Sequence, residues 1–362
     1  HPFDYIGALT LDSDNENWVF KRNRPLSVLM NEQTLAGLNP CRYVGPNQVF
    51  HSTMDYTFMI HQAMLDDFHL RRDSIHSELD ARAYLYGLYN SRQFLMQWVQ
   101  PEHNHGPFVL MHGDLRSSNI LVDDDLNIVS VLDWEWSHTI PLQMFLPPPW
   151  LTGFEVPGIL RAYNRLAYDC LVDIFRGETA DVEYQYCRKP YLERPLFNLW
   201  KRASASGDIF IGLGLRQPLY FGNVYDAIID HDCYKSETLQ YRKRLDDFFN
   251  LEIHKPEREA VQRKLDDLKS FAKECDELGV QRIVLDDDDD DDYKPSNSDP
   301  ENQNQSAPLP LGNYFRELRA CFFRRPTMSR THWAIGGTSL GLACCFVLVP
   351  RWKMLPCLRL GK

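Results

Sequence analysis

Apolar positions along the chain change period several times, and the changes divide it. Behind Ser52-Thr53-Met54-Asp55, a stretch able to supply an N-cap, Tyr56, Ile60, Met64 and Phe68 recur every four residues and predict a helix. A second helix is predicted over Ser77–Val99, where Leu79, Ala83, Leu85, Leu88, Phe94, Leu95 and Trp98 fall near the 3.6 period. The aromatics of both are read as helix core. After the break at Pro101–Pro107 the period shortens. Phe108–Met111, Ile120–Val122 and Ile128–Leu132 are short runs rich in Val, Ile and Leu, and they read as closely spaced strands, the last two joined by a turn at Asp123–Asn127. From Pro157 to about Leu278 the pattern is helical again. Its clearest piece is Pro256–Leu278, where Val261, Leu265, Leu268, Phe271, Cys275 and Leu278 form one stripe and Gly279 is a natural stop. Residues 1–50 hold short apolar pieces, and Asp12–Asn15 between Ile6–Leu11 and Trp18–Phe20 reads as a strand–turn–strand or an irregular lid. The predicted body is α+β, with helices surrounding one small strand-rich insert.

Past Val284 the pattern is lost. Asp286–Asp292 is a run of seven aspartates, and Lys294–Pro310 is built largely from Pro, Ser, Asn, Gln and Asp. Such a segment buries too little apolar area to offset its ordering entropy, so 286–312 is expected to be a disordered linker. Residues 313–362 form a tail containing a 17-residue charge-free stretch, Trp333–Val349, flanked by Arg324, Arg325 and Arg330 before and Arg351 and Lys353 after. Seventeen residues lie at the short edge of the spanning range, and three glycines lower the apolarity. Three readings stay open for 333–349: a membrane anchor, a packed or interfacial helix, or an artefact of the gene model. The localisation expected is therefore cytoplasmic, with anchoring to a membrane under the first reading.

Charge changes the picture less than it first suggests. With 39 Lys+Arg and 50 Asp+Glu the net charge is −11, but without the seven linker aspartates it is 39 − 43 = −4. A mildly acidic body excludes a globally basic nucleic-acid binder, which would need Lys and Arg gathered against phosphates. Hydrophobic content of 44%, including 20 Phe, 17 Tyr and 8 Trp, excludes disorder over most of the length. Nine scattered cysteines show no zinc-type spacing and read as reduced packing residues.

The strand-rich insert carries the chemistry. It reads His112-Gly-Asp114-Leu-Arg116-Ser-Ser-Asn119-Ile-Leu-Val and then Leu132-Asp133-Trp134-Glu135. Asp114 follows one strand, Asn119 comes five residues later as the next opens, and Asp133 ends a third, nineteen residues after Asp114. Three oxygen-bearing side chains at strand ends are expected to point toward one edge. Mg²⁺ takes oxygen ligands, usually one or two carboxylates plus substrate phosphates. Asn119 and Asp133 can hold such a metal while Asp114 accepts a proton from an attacking hydroxyl.

His-Gly-Asp-Leu-x-x-x-Asn-Ile-Leu-Val followed by Leu-Asp-Trp-Glu resembles the aminoglycoside phosphotransferase and choline kinase-like family, within the protein-kinase-like fold. Phe3–Leu9, Arg24-Pro25-Leu26, Gly106-Pro107-Phe108 and Pro148–Gly153 look like its large fungal branch. The resemblance implies that residues 1–285 form a kinase-like C-terminal lobe and that the protein transfers the γ-phosphoryl of ATP, with Mg²⁺, to a hydroxyl of a small molecule. By position Asp114 would be the base, and Asn119 and Asp133 the metal and nucleotide-phosphate ligands. Arg116 would pair with the transferred phosphoryl or form a surface salt bridge. His112 is expected to be structural, Glu135 to orient the metal site or cap the turn, and Trp134 and Trp136 to pack. The family's nucleotide-binding lobe, with its phosphate-covering loop and strand Lys, finds no counterpart upstream of the motif, so His1 is expected to fall near the start of the C-terminal lobe; two readings stay open, a first lobe lost by truncation or a faulty gene model, or an inactive remnant. The alternative function is a non-catalytic kinase-like scaffold tethered by its tail.

Overall fold

The computed structural model describes residues 3–280 apart from 12–17, 21–23, 26, 40–41, 43, 73, 126, 187–194 and 235–237. The acidic linker and the 333–349 segment lie outside the described residues. No described helix is long and apolar enough to cross a membrane.

The chain opens with a short antiparallel pair, β1 (Leu9–Leu11) and β2 (Trp18–Phe20), as the strand–turn–strand reading anticipates. Helix α1 (Val28–Leu35), which the apolar pattern did not announce, starts at Ser27, whose hydroxyl accepts from the Met30 amide. Helices α2 (Thr53–Leu70) and α3 (Glu78–Trp98) follow the prediction closely. Ser52 and Ser77 are their N-caps and accept from the Asp55 and Asp80 amides at 3.2 and 3.1 Å, satisfying donors that a helix start leaves open. Asn104 also clamps the start of α2, its side chain accepting from the Met54 amide and the Ser52 hydroxyl.

Along α3 the buried residues Ala81, Leu85, Leu88, Leu95 and Trp98 form the face that packs on α2 and on a late helix. Tyr56, Ile60, Met64 and Phe68 of α2 join them in one core. The late helix is α11, described after its predecessors: α4 (Val156–Leu160), α5 (Ala162–Tyr186), α6 (Pro195–Ser206), α7 (Asp208–Arg216), α8 (Phe221–Val224), a π-helical turn Tyr225–Asp230, α9 (His231–Tyr234) and α10 (Thr238–Asn250). Helix α11 (Lys255–Leu278) ends at Gly279, whose φ of 66° explains the glycine. Its predicted stripe is corrected at one end. Leu278 is 78% exposed, and so is much of Leu79 at the start of α3, because both lie at helix ends beyond the packed face.

The strand-rich part also differs from expectation. Strands β3 (Phe108–Met111), β4 (Ile120–Val122) and β5 (Ile128–Val131) all form, but not as one insert. Strand β3 pairs antiparallel with β6 (His138–Pro141), a strand the sequence reading missed, in the register Phe108↔Pro141 to Met111↔His138. The N-terminal segment borders this pair through bridges from Phe3 to Phe108 and from Ala8 to His138. Thr139 stitches it down, its hydroxyl donating to Tyr5 O at 2.8 Å and accepting from the Gly7 amide at 2.9 Å. By contacts, one unit comprises His1–Asn119 and Asp133–Gln281, and the hairpin Ile120–Leu132 belongs to another. Within that hairpin β4 and β5 pair from Ile120↔Val131, and the Asp123 carboxylate accepts from the Asp125 and Asn127 amides across the turn.

Beyond β6 the chain runs through a strap of three consecutive prolines, Pro147–Pro149, which lack backbone N–H donors for strand pairing, and the last of them opens the 3₁₀ turn Pro149–Thr152. The carbonyls that lead into this strap, Phe145–Pro147, are met by side chains from three helices: Trp200 Nε1 of α6 donates to Phe145 O, Arg216 of α7 to Leu146 O, and the Tyr168 hydroxyl of α5 to Pro147 O, at 2.7 to 2.9 Å.

Candidate active site

Strand β3 delivers the loop that follows it. The register pairs Met111 with His138, so two further steps, 111 + 2 and 138 − 2, bring Gly113 opposite Trp136. The approach is tight. A Cβ on Gly113 would lie 2.3 Å from Trp136 O and 2.7 Å from Trp136 Cβ, so only glycine fits. One residue earlier, the buried His112 ring meets Trp134 edge-on, with centroids 4.7 Å apart. These contacts hold two chain segments together: the loop that starts at Asp114 and the 3₁₀ turn Trp134–Trp136, which Asp133 precedes.

Within the loop, three of the four predicted site residues are joined directly. The Arg116 guanidinium meets the Asp114 carboxylate at 2.7 Å, from Nε to Oδ1. Asn119 closes the 3₁₀ turn Ser117–Asn119 and is buried, its amide Nδ2 donating to Asp114 O at 2.9 Å and, at 3.4 Å, to Asp114 Oδ2. Asn119 Oδ1 accepts from the Ser118 hydroxyl. The Arg116 side chain is 65% exposed and that of Asp114 25%, so the cation lies on the solvent side of the acid.

Asp133, the fourth, stands on the neighbouring turn. Its φ and ψ of 61° and 56° are left-handed, and it is the one non-glycine residue with positive φ among the described residues. Asp tolerates this region better than most residues, but at a cost, and such outliers gather at functional sites. Its carboxylate is exposed and makes no hydrogen bond or ion pair with the described residues. It is free to take a ligand.

Two further residues, neither of them read from the sequence as part of the site, support this turn. The His138 ring is buried, with Nδ1 2.9 Å from Trp136 O and Nε2 3.2 Å from the Tyr56 hydroxyl of α2. The tautomer that satisfies both carries its proton on Nδ1, donates to the carbonyl and accepts from Tyr56 O–H. Burial pushes the imidazole down to about 4; its bond to Trp136 O acts upward and the Arg216 charge downward. Burial likewise raises the Tyr56 phenol far above its ordinary value. The signal for both residues was present as polar side chains among apolar neighbours, His138 in His-Thr-Ile-Pro and Tyr56 on the α2 face.

Chemically, the site offers hard oxygen donors: one free carboxylate, one amide and a second carboxylate tied to a cation. Among the described residues no group of three or more His, Cys, Asp or Glu is gathered to hold a metal unaided. That donor set fits Mg²⁺, which keeps waters or substrate phosphates in its shell, rather than a metal enclosed by protein. Gathered with Arg116, it suits a polyanionic ligand that brings oxygens of its own.

The comparisons agree with the motif. Residues 59–144, from within α2 through β6, match the family model APH, the phosphotransferase enzyme family. This segment contains Asp114, Arg116, Asn119 and Asp133. No curated protein and no solved structure gave a match.

Proposed function

We propose that this chain, with its phosphotransferase-family segment, transfers the γ-phosphoryl of ATP to a hydroxyl of a small molecule, with Mg²⁺ held by Asn119 and Asp133. The observation that carries the reading is the joined set Asp114, Arg116 and Asn119 beside the free carboxylate of Asp133. Phosphoryl transfer needs little covalent help from a protein; it needs positioning and charge neutralisation. Asp114 Oδ1 is taken by Arg116, so Oδ2, with only the long bond from Asn119, is the oxygen that accepts the substrate hydroxyl proton. The hydroxyl oxygen then bonds to the γ-phosphorus as the bond to the β,γ-bridging oxygen breaks and ADP leaves. Arg116, paired with Asp114 and exposed, orients the base and would offer its remaining guanidinium donors to a phosphoryl oxygen. A bound Mg²⁺ would supply charge neutralisation between phosphate oxygens. Asn119 and Asp133 offer it an amide oxygen and a carboxylate, so most of its shell is left for phosphate and water.

The test is transfer from γ-labelled ATP to a panel of aminoglycosides and amino alcohols, comparing the full-length protein with Asp133→Ala and Asp114→Ala. Loss of transfer in both variants, with unchanged melting, supports the assignment. Equal transfer in wild type and Asp133→Ala would sink it.

A further inference from the structure

We propose that His138, held by Tyr56, is the positioning residue for the Asp133 carboxylate. This rests on the metal-ligand reading of Asp133 given above. Asp133 is held in a left-handed conformation that a free aspartate would rarely keep, so the turn after it must impose that conformation. The turn closes on itself through one backbone bond, from the Ser137 amide to Trp134 O at 3.0 Å. Its far end runs into β6, where Trp136 O packs against Gly113 and receives the His138 Nδ1 proton. Among the described residues no other donor reaches that carbonyl. His138 is itself prevented from rotating, because Nε2 accepts from Tyr56 and the ring is buried on a strand whose four residues are all buried. The chain of contacts runs from α2 through β6 to Trp136 O and thence along three residues to Asp133. Neither Tyr56 nor His138 bonds to the Asp133 side chain, so their effect is exerted through backbone geometry. Ligand orientation of this kind is typically reflected in metal affinity by a factor of ten or more.

Two neutral replacements separate position from packing. His138→Asn keeps an amide N–H where Nδ1 stands, so it still donates to Trp136 O; His138→Gln carries its amide out to the Nε2 position and loses that bond. Mn²⁺, used as the Mg²⁺ surrogate, is titrated into the full-length protein with and without ATP and followed by its paramagnetic resonance signal. The expected result is about tenfold weaker binding for His138→Gln and wild-type binding for His138→Asn. Tyr56→Phe, a gentler change that removes only one hydroxyl, is expected to weaken binding measurably but less than His138→Gln does. It decides the matter if His138→Gln does not fold, and unchanged binding there overturns the proposal. Equal affinities for His138→Asn and His138→Gln also overturn it while leaving phosphotransfer intact. If the wild-type protein binds no Mn²⁺ under either condition, the phosphotransferase reading fails instead. Hydrogen exchange at the Ser137 amide then decides the positioning claim: faster exchange in Gln than in Asn upholds it, and equal exchange overturns it.

Discussion

The α2–α3–α11 core and the site at Asp114, Arg116, Asn119 and Asp133 belong to the same compact unit but are held by different means. In the core, Leu85, Leu88, Leu95 and Met64 are each fully buried, and each is one of many apolar contacts. In the site, single atoms decide. One missing Cβ at Gly113, one carbonyl at Trp136 and one imidazole at His138 fix where two carboxylates stand. A core of distributed contacts degrades gradually, whereas a site of single contacts loses function at one change while the fold persists.

The largest expected effect tests that separation directly. Asp114→Ala is expected to lower phosphoryl transfer about 10²–10⁴-fold, with a melting temperature close to wild type. A melting loss as large as that of a core variant would show the site to be structural too. In the core, Leu85→Ala should cost about 3 kcal/mol in denaturant unfolding, since it removes a fully buried side chain from a packed face. An effect of similar size is expected from pH at His138. The unfolded imidazole titrates at its ordinary value of 6.5 and the folded one at about 4. Between these values the unfolded chain holds the proton and the folded one does not, so stability rises with pH and is fully present above 6.5. The difference amounts to 2.5 pH units at about 1.4 kcal/mol each, a ceiling of about 3–4 kcal/mol. It is read as the loss of stability from pH 7 to pH 4 in wild type beyond that in His138→Asn. Ser52→Ala should cost about 1 kcal/mol through the lost cap. The smallest effect has the opposite sign. Asp133→Gly relieves the left-handed backbone and should stabilise by about 0.5 kcal/mol while abolishing Mn²⁺ binding. Destabilisation there would blur the distinction between core and site.

The same contrast explains what could be read along the chain. Helices α2, α3 and α11 were legible to within a residue or two at each end, because Ser52 and Gly279 punctuate a 3.6-residue period and α3 keeps that period throughout; Ser77, read as the first helical residue, is the cap. The spacing of Asp114, Asn119 and Asp133 singled out candidate chemistry, and the structure bonds Asn119 to Asp114 and places Asp133 on the neighbouring turn. Strand β6 was not legible. His138 and Thr139 look like surface residues, and they are buried because their partners, Tyr56, Tyr5 and Gly7, are distant in sequence. Nor does Gly113 declare its reason locally, since the atom it must avoid belongs to Trp136. The strands near the site were read as one insert because proximity in sequence says nothing of pairing, and β3 passes over β4 and β5 to pair with β6.

The proline strap that leaves β6 carries a consequence for cooperativity. Phe145, Leu146 and Pro147 offer successive carbonyls, and each finds its donor on a different helix. A buried carbonyl without a donor costs about 1–3 kcal/mol. Losing any one of α5, α6 or α7 therefore strands an acceptor in the segment that also anchors the strand behind the site. The three helices and that segment should open as one foldon, so partial unfolding of the helical half would disarm the site rather than leave it working alone.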